Sequence, residues 1–186
     1  MEKTKKHALN AFEKKDFTTA SKLYALAYSD DESDLESKAG LMLCSLANEY
    51  PDEISALYEF YSITNIIDQD NAYENLEMLI EALEQGSDIE EASTEVFKEK
   101  IITEDGITYD DFINIVNQNG DFKTVFEKIF FSTKVVITQK NDFFDFVTRL
   151  IDNEYIDVAL SYIDSANQVF PSDERLRELL NRISNH

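Results

Sequence analysis

Four glycines and two prolines are all that 186 residues contain, and this scarcity is the tightest constraint on how the chain can fold. Sharp backbone reversals draw on those residues, glycine for positive φ and proline for its fixed φ. A β-sandwich or barrel needs many such turns, so the chain is expected to consist of helices with short connectors. Hydrophobic residues make up 43% and aromatic residues 12%, enough apolar surface for a sizeable core and against disorder throughout.

Apolar residues recur at helical spacing along most of the chain. Helices are expected over 3–14 and 17–28, joined at Lys15-Asp16, and over 35–48 behind a cap at Ser33 or Asp34. Pro51 is expected to open a helix to Ile67, because a first-turn position needs no N–H. Asp70 or Asn71 should cap the next helix, which Gly86 ends, and Ser87 to Glu90 has capping-box spacing for another. Thr108 to Asp111 offers a further start, with its stop at Asn119-Gly120. The remaining helices are expected over 121–133, from Asn141 to Asp152, over 153–170 and from Pro171 to near Ser184. Val135-Val136-Ile137 suits an extended piece over 134–138 as an alternative. The expected architecture is all-α, about ten helices in one domain over residues 1–186, with an internal bend near 101–108.

A packing pattern recurs within this frame. Asp16, Phe17, Ala20, Tyr24 and Ala27 near the N-terminus match the spacing of Ile156, Ala159, Ile163 and Ala166 near the C-terminus. Asp121, Phe122, Val125, Ile129 and Ser132 repeat it in the middle, and Pro51, Ala56, Phe60 and Ile63 form a looser copy. Alanine lets two helix backbones approach, and the bulky residue one turn on fills the neighbouring groove.

Ala8, Phe17, Ala20, Tyr24 and Ala27, with Ala159, Ile163, Ala166 and the closing Pro171, resemble the tetratricopeptide repeat family. Its units are antiparallel helix pairs of about 34 residues. The resemblance implies a short α-α superhelix whose concave face binds a peptide or another protein. Some members grip a partner's C-terminal carboxylate with Lys and Asn. The register of Ala20 and Tyr24 puts Lys5 and Leu9 at those positions, with Asn10 one residue off, so that clamp is not expected.

Charge is unevenly spread: residues 1–28 carry a net +3, residues 29–97 a net −18 and residues 98–186 a net −6. No Lys or Arg lies between Lys38 and Lys98. Nucleic acid and anionic lipid both require cations, so neither is an expected partner of this stretch. Glu74, Glu77, Glu81, Glu84, Asp88, Glu91 and Glu95 step by 3 and 4, which puts them on one face within each helix, beside inward-facing Tyr73, Leu76, Ile80 and Leu83. One reading is a solvated outer face; the other is a docking surface for a basic protein or peptide, with Glu74, Glu77, Glu81, Glu84, Glu91 and Glu95 as partner-binding residues. Phe122, Phe126, Phe130, Phe131, Phe143, Phe144 and Phe146 are read as core packing between several helices, or else as an apolar patch for a partner or a second copy of the chain.

Catalytic signatures are lacking. His7 and His186 are the only histidines and Cys44 the only cysteine, so no histidine triad, cysteine zinc cluster or internal disulfide can be assembled. EDGITYDDF (104–112) fails as a calcium loop, because a register on Gly106 puts Ile101 and Phe112 where carboxylates are required. The start MEKTKKHALNAF lacks a secretory apolar stretch, and no membrane span is present, so a cytoplasmic location is expected. The expectation is a non-enzymatic adaptor, scaffold or chaperone without cofactor or metal. The alternative is an acidic nucleic-acid mimic that inhibits a DNA-binding protein.

Overall fold

A computed structural model describes residues 2–89, 92–93, 106–130, 133 and 135–184. Among them the fold is all-α, with ten helices. The N-terminal five are α1 (Glu2–Glu13), α2 (Phe17–Asp30), α3 (Leu35–Leu46), α4 (Ile54–Ile67) and α5 (Gln69–Glu84). The C-terminal five are α6 (Tyr109–Asn119), α7 (Phe122–Phe130), α8 (Lys140–Asp152), α9 (Ile156–Val169) and α10 (Glu174–Ser184). Two short strands, β1 (Ile107–Thr108) and β2 (Val135–Val136), pair in parallel, Ile107 opposite Val135. The extended alternative at 134–138 therefore holds, and its partner is the segment leading into α6.

Several expected boundaries move. Pro51 lies in a turn ahead of α4, where the Tyr50 carbonyl already accepts from the Ile54 N–H at 3.2 Å. α5 starts at Gln69, ahead of both expected caps, with Asn71 Nδ2 bonded to the Asp68 carboxylate at 2.9 Å. α8 begins at Lys140, one residue before Asn141. Other caps fall where expected: Asp34 accepts from the Ser37 N–H, and Thr108 Oγ1 accepts from the Asp111 N–H at 3.0 Å. The expected helix from Ser87, and most of the expected bend near 101–108, lie outside the described residues.

The joints between helices are regular. In α1 the Asp16 N–H reaches the Ala11 carbonyl and the Lys15 N–H reaches Phe12, the two bonds of a Schellman stop. Gly86 and Glu154 close α5 and α8 with the same pair of bonds. Gly120 ends α6 with positive φ as well, and Gly86, Gly120 and Glu154 are spaced 34 residues apart. After these stops, Ala20, Ala27, Ala159 and Ala166 are all fully buried, so the small residues sit where helix backbones meet.

Two hydrophobic cores result. The first gathers α1 to α5 around Phe12, Tyr24, Leu43, Leu57 and Leu76; the second gathers α6 to α10 around Phe112, Phe143, Val147 and Ile163. α4 belongs to both, since Leu57, Phe60 and Tyr61 face the first core and Ile63 the second. This is why ISALYEFYSITNII is apolar on nearly every side. Helix α4 also packs on α8 and α9, contacts between elements far apart in sequence. Phe122, Phe126, Phe143, Phe144 and Phe146 are buried, as core packing requires; the Phe130 side chain and Phe131 lie outside the description. Truncating a fully buried ring such as Phe112 or Phe143 to Ala should cost about 3–5 kcal/mol.

Candidate functional site

α5 sorts its side chains as its sequence dictates. Tyr73, Leu76, Leu79, Ile80 and Leu83 are buried against the first core, and Glu74, Glu77, Glu81 and Glu84 are exposed on the opposite face. At about 1.5 Å of rise per residue, the four carboxylates occupy a ridge roughly 15 Å long. Among the described residues none of the four closes an ion pair. Lys38, the lone cation of residues 29–97, lies beside the ridge with its ammonium 4.3 Å from the Tyr73 ring centre. Its pKa is raised, chiefly by the Tyr73 hydroxyl and more weakly by the Glu77 carboxylate. Glu81 accepts a 3.4 Å hydrogen bond from Gln85 Nε2. Glu91 and Glu95 lie outside the described residues, as do Lys98 and Lys100.

A second feature forms where the chain closes on itself. The outer side of α1, the start of α3 and the end of α9 border an open groove of about 380 Å³, lined by Lys5, Lys6, Asn10, Glu36, Asn167 and Gln168. Lys5 Nζ donates to Glu36 Oε2 at 2.6 Å and lies 3.4 Å from Asp34 Oδ1. Burial opposes the Lys5 charge, but the two carboxylates together hold its pKa above the ordinary value. Leu9, at the other clamp position, is buried. Asp34 is fixed in turn, because Ser37 Oγ donates to its Oδ2 at 2.8 Å while its other oxygen caps α3.

Behind Glu36 lies a smaller recess of about 20 Å³ between α3, α4 and the end of α9, lined by Tyr58, Tyr61, Ser62, Asn65 and Val169 among others. Tyr24, Tyr58 and Tyr61 have hydroxyl pKa values raised first by burial, and in each case the Glu36 carboxylate adds to the shift. One carboxylate thus acts on three buried phenols. Sequence reading missed this arrangement, since Glu36 is one acid among many in SDDESDLES. The only local signal was a serine in the middle of an otherwise apolar α4.

No group of three or more metal-ligating side chains occurs among the described residues, and no described helix is long and apolar enough to cross a membrane. The chain matches no protein-family model, no curated protein and no solved structure.

Proposed function

We propose that the chain is a non-enzymatic protein-interaction module, an adaptor, scaffold or chaperone of tetratricopeptide-like design, that takes a basic protein or peptide on the outer face of α5. The observation that carries this reading is the exposed row Glu74, Glu77, Glu81 and Glu84, unpaired among the described residues. Like charges three or four apart cost an isolated helix about 0.2–0.5 kcal/mol per pair. A cationic partner would relieve that repulsion and be drawn in from a distance. Support for the repeat design comes from the 34-residue spacing of the left-handed stops at Gly86, Gly120 and Glu154. A cytoplasmic location belongs to the same proposal.

The test is an affinity pull-down at low and high salt, comparing the native chain with one carrying Glu74→Lys, Glu77→Lys, Glu81→Lys and Glu84→Lys, its fold checked by circular dichroism. The expected result is a partner held by the native chain, weakened by salt and lost on charge reversal. Equal capture by both baits would make the ridge ordinary solvated surface. Competition by duplex DNA for that partner would instead favour a nucleic-acid mimic.

A further inference from the structure

The recess behind Glu36 has an unusual inventory. Ser62 is 2% exposed and its Oγ has no hydrogen-bond partner; the neighbouring Tyr58 hydroxyl acts on it without closing a bond of ordinary geometry. Thr64, two residues on, shows what a hydroxyl in this helix ordinarily does, donating back to the Phe60 carbonyl at 2.9 Å. A buried hydroxyl left unbonded costs about 1–3 kcal/mol, so something that satisfied it would be bound with that gain.

Charge and size narrow the choice. The recess lining includes the Glu36 carboxylate, the Asn65 side-chain amide and the rings of Tyr58 and Tyr61, and it includes no Lys, Arg or His. Acceptors and π faces together favour a cation and reject an anion. About 20 Å³ holds a group the size of a water molecule, which an ammonium matches and a planar guanidinium exceeds. The chain already demonstrates the pairing on the groove side, where the Lys5 ammonium sits 2.6 Å from Glu36.

We infer that this recess is a binding site for a primary ammonium group, carried on an alkyl chain that lies in the adjoining groove. The three N–H donors of such a group meet Glu36, Ser62 Oγ and the Asn65 side-chain carbonyl. Its methylenes run along Leu9 and Pro171, the apolar part of the groove lining. Glu36 lines both spaces and is the point where the ligand passes from one to the other. Lys5 acts as the internal competitor for Glu36, so entry requires the chain's own ammonium to swing aside. The site is separate from the α5 ridge and does not depend on it.

A lysine side chain of a partner and a free alkylamine share this chemistry, and the experiment separates them. The ¹⁵N-labelled chain is titrated at pH 7 with n-butylamine, with n-butanol as its uncharged counterpart, and with blocked Ala-Lys-Ala and Ala-Arg-Ala peptides. The expected result is a saturable shift at Ser62 and Asn65 with butylamine or the lysine peptide, and none with butanol or the arginine peptide. A tighter response to the lysine peptide assigns the site to a partner's side chain; an equal or weaker one assigns it to a free amine. Glu36→Gln should weaken binding at least tenfold, and Ser62→Ala several-fold. Lys5→Met should tighten it about tenfold, a gain that mere structural damage does not produce. Equal shifts with butanol, or no saturable shift even in the Lys5→Met chain, would overturn the proposal and leave the recess as the seat of a structural water.

Discussion

Lys15 and Glu154 stand at the same point of the same helix–turn–helix unit, 139 positions apart, and both hold a left-handed backbone, with φ of 60° and 69°. Each donates its N–H to the carbonyl three residues back, Lys15 to Phe12 at 2.8 Å and Glu154 to Ile151 at 3.1 Å. The residue after each closes the longer bond, Asp16 to Ala11 and Tyr155 to Leu150, both at 2.9 Å. In the middle of the chain the equivalent stop uses glycine at Gly86, where left-handed φ carries no side-chain penalty.

Lys15→Gly and Glu154→Gly should therefore stabilise the fold. A side chain in this conformation costs about 1–2 kcal/mol, and part of the relief is lost to glycine's greater freedom when unfolded. The expected net gain is about 0.5–1 kcal/mol at each site, read as a higher midpoint in urea. Neither side chain is buried, so little packing changes. A drop in the midpoint for both variants would show that these residues are not held left-handed in solution.

Gly40→Ala should have the opposite sign despite alanine's better helix propensity. A Cβ at Gly40 would lie 2.6 Å from the Tyr24 ring, which is itself 3% exposed between α2 and α3. The ring has little room to retreat, so overpacking of about 1–3 kcal/mol outweighs the roughly 1 kcal/mol of propensity. Pairing it with Tyr24→Leu should recover part of the loss. If Gly40→Ala alone raised the urea midpoint, the close approach of α2 and α3 would be disproved.

What the sequence made legible follows the range of the interaction. Ala20, Ala27, Ala159 and Ala166 announce helix contacts because helical periodicity is local, and all four are buried. Thr108 and Gly120 mark the ends of α6 through bonds within one turn. The acidic ridge was legible for the same reason. The pairing of Ile107 with Val135 spans 28 positions and leaves no local trace beyond the β-branched run. The meeting of Glu36 with Tyr58, Ser62 and Val169 depends on α9 closing over α3 and α4, so no stretch of sequence contains it.

The start of α10 offers a pH test. Asp173 accepts from Arg175 Nη2 at 2.8 Å and pairs with Lys140 Nζ at 3.1 Å, while those cations also cover the Phe144 and Phe170 rings at 4.0 Å. Arg175 first, then Lys140, hold the Asp173 carboxyl well below its ordinary pKa. A depressed folded-state pKa contributes stability that is present above the unfolded value of about 3.9 and is lost as pH falls through the folded one. Asp173→Asn should cost about 1–2 kcal/mol near neutral pH, allowing for the partial exposure of Arg175, and the gap from wild type should shrink below about pH 4. Urea midpoints at pH 6 and pH 3 measure it. A gap that persisted at pH 3 would assign the loss to packing and not to the charge.

Cys44 tests how tightly the first core is closed. Its thiol is 7% exposed, in a core that also contains Leu43 and Ala47, and burial pushes its pKa up to about 11. Only the thiolate attacks a disulfide reagent. At pH 8 a thiol of that pKa is ionised about one part in a thousand, against roughly a quarter for a free cysteine. Restricted access lowers the rate further, so labelling by an aromatic disulfide should proceed only as fast as the core opens and should accelerate steeply in urea. Cys44→Ala should be tolerated within about 1–2 kcal/mol. Cys44→Ser should be worse, because it buries a hydroxyl in place of a weakly polar thiol. Complete labelling of the native chain within seconds at pH 8 would contradict a closed core around α3, and with it the enclosed recess that Leu43 and Gly40 help to wall.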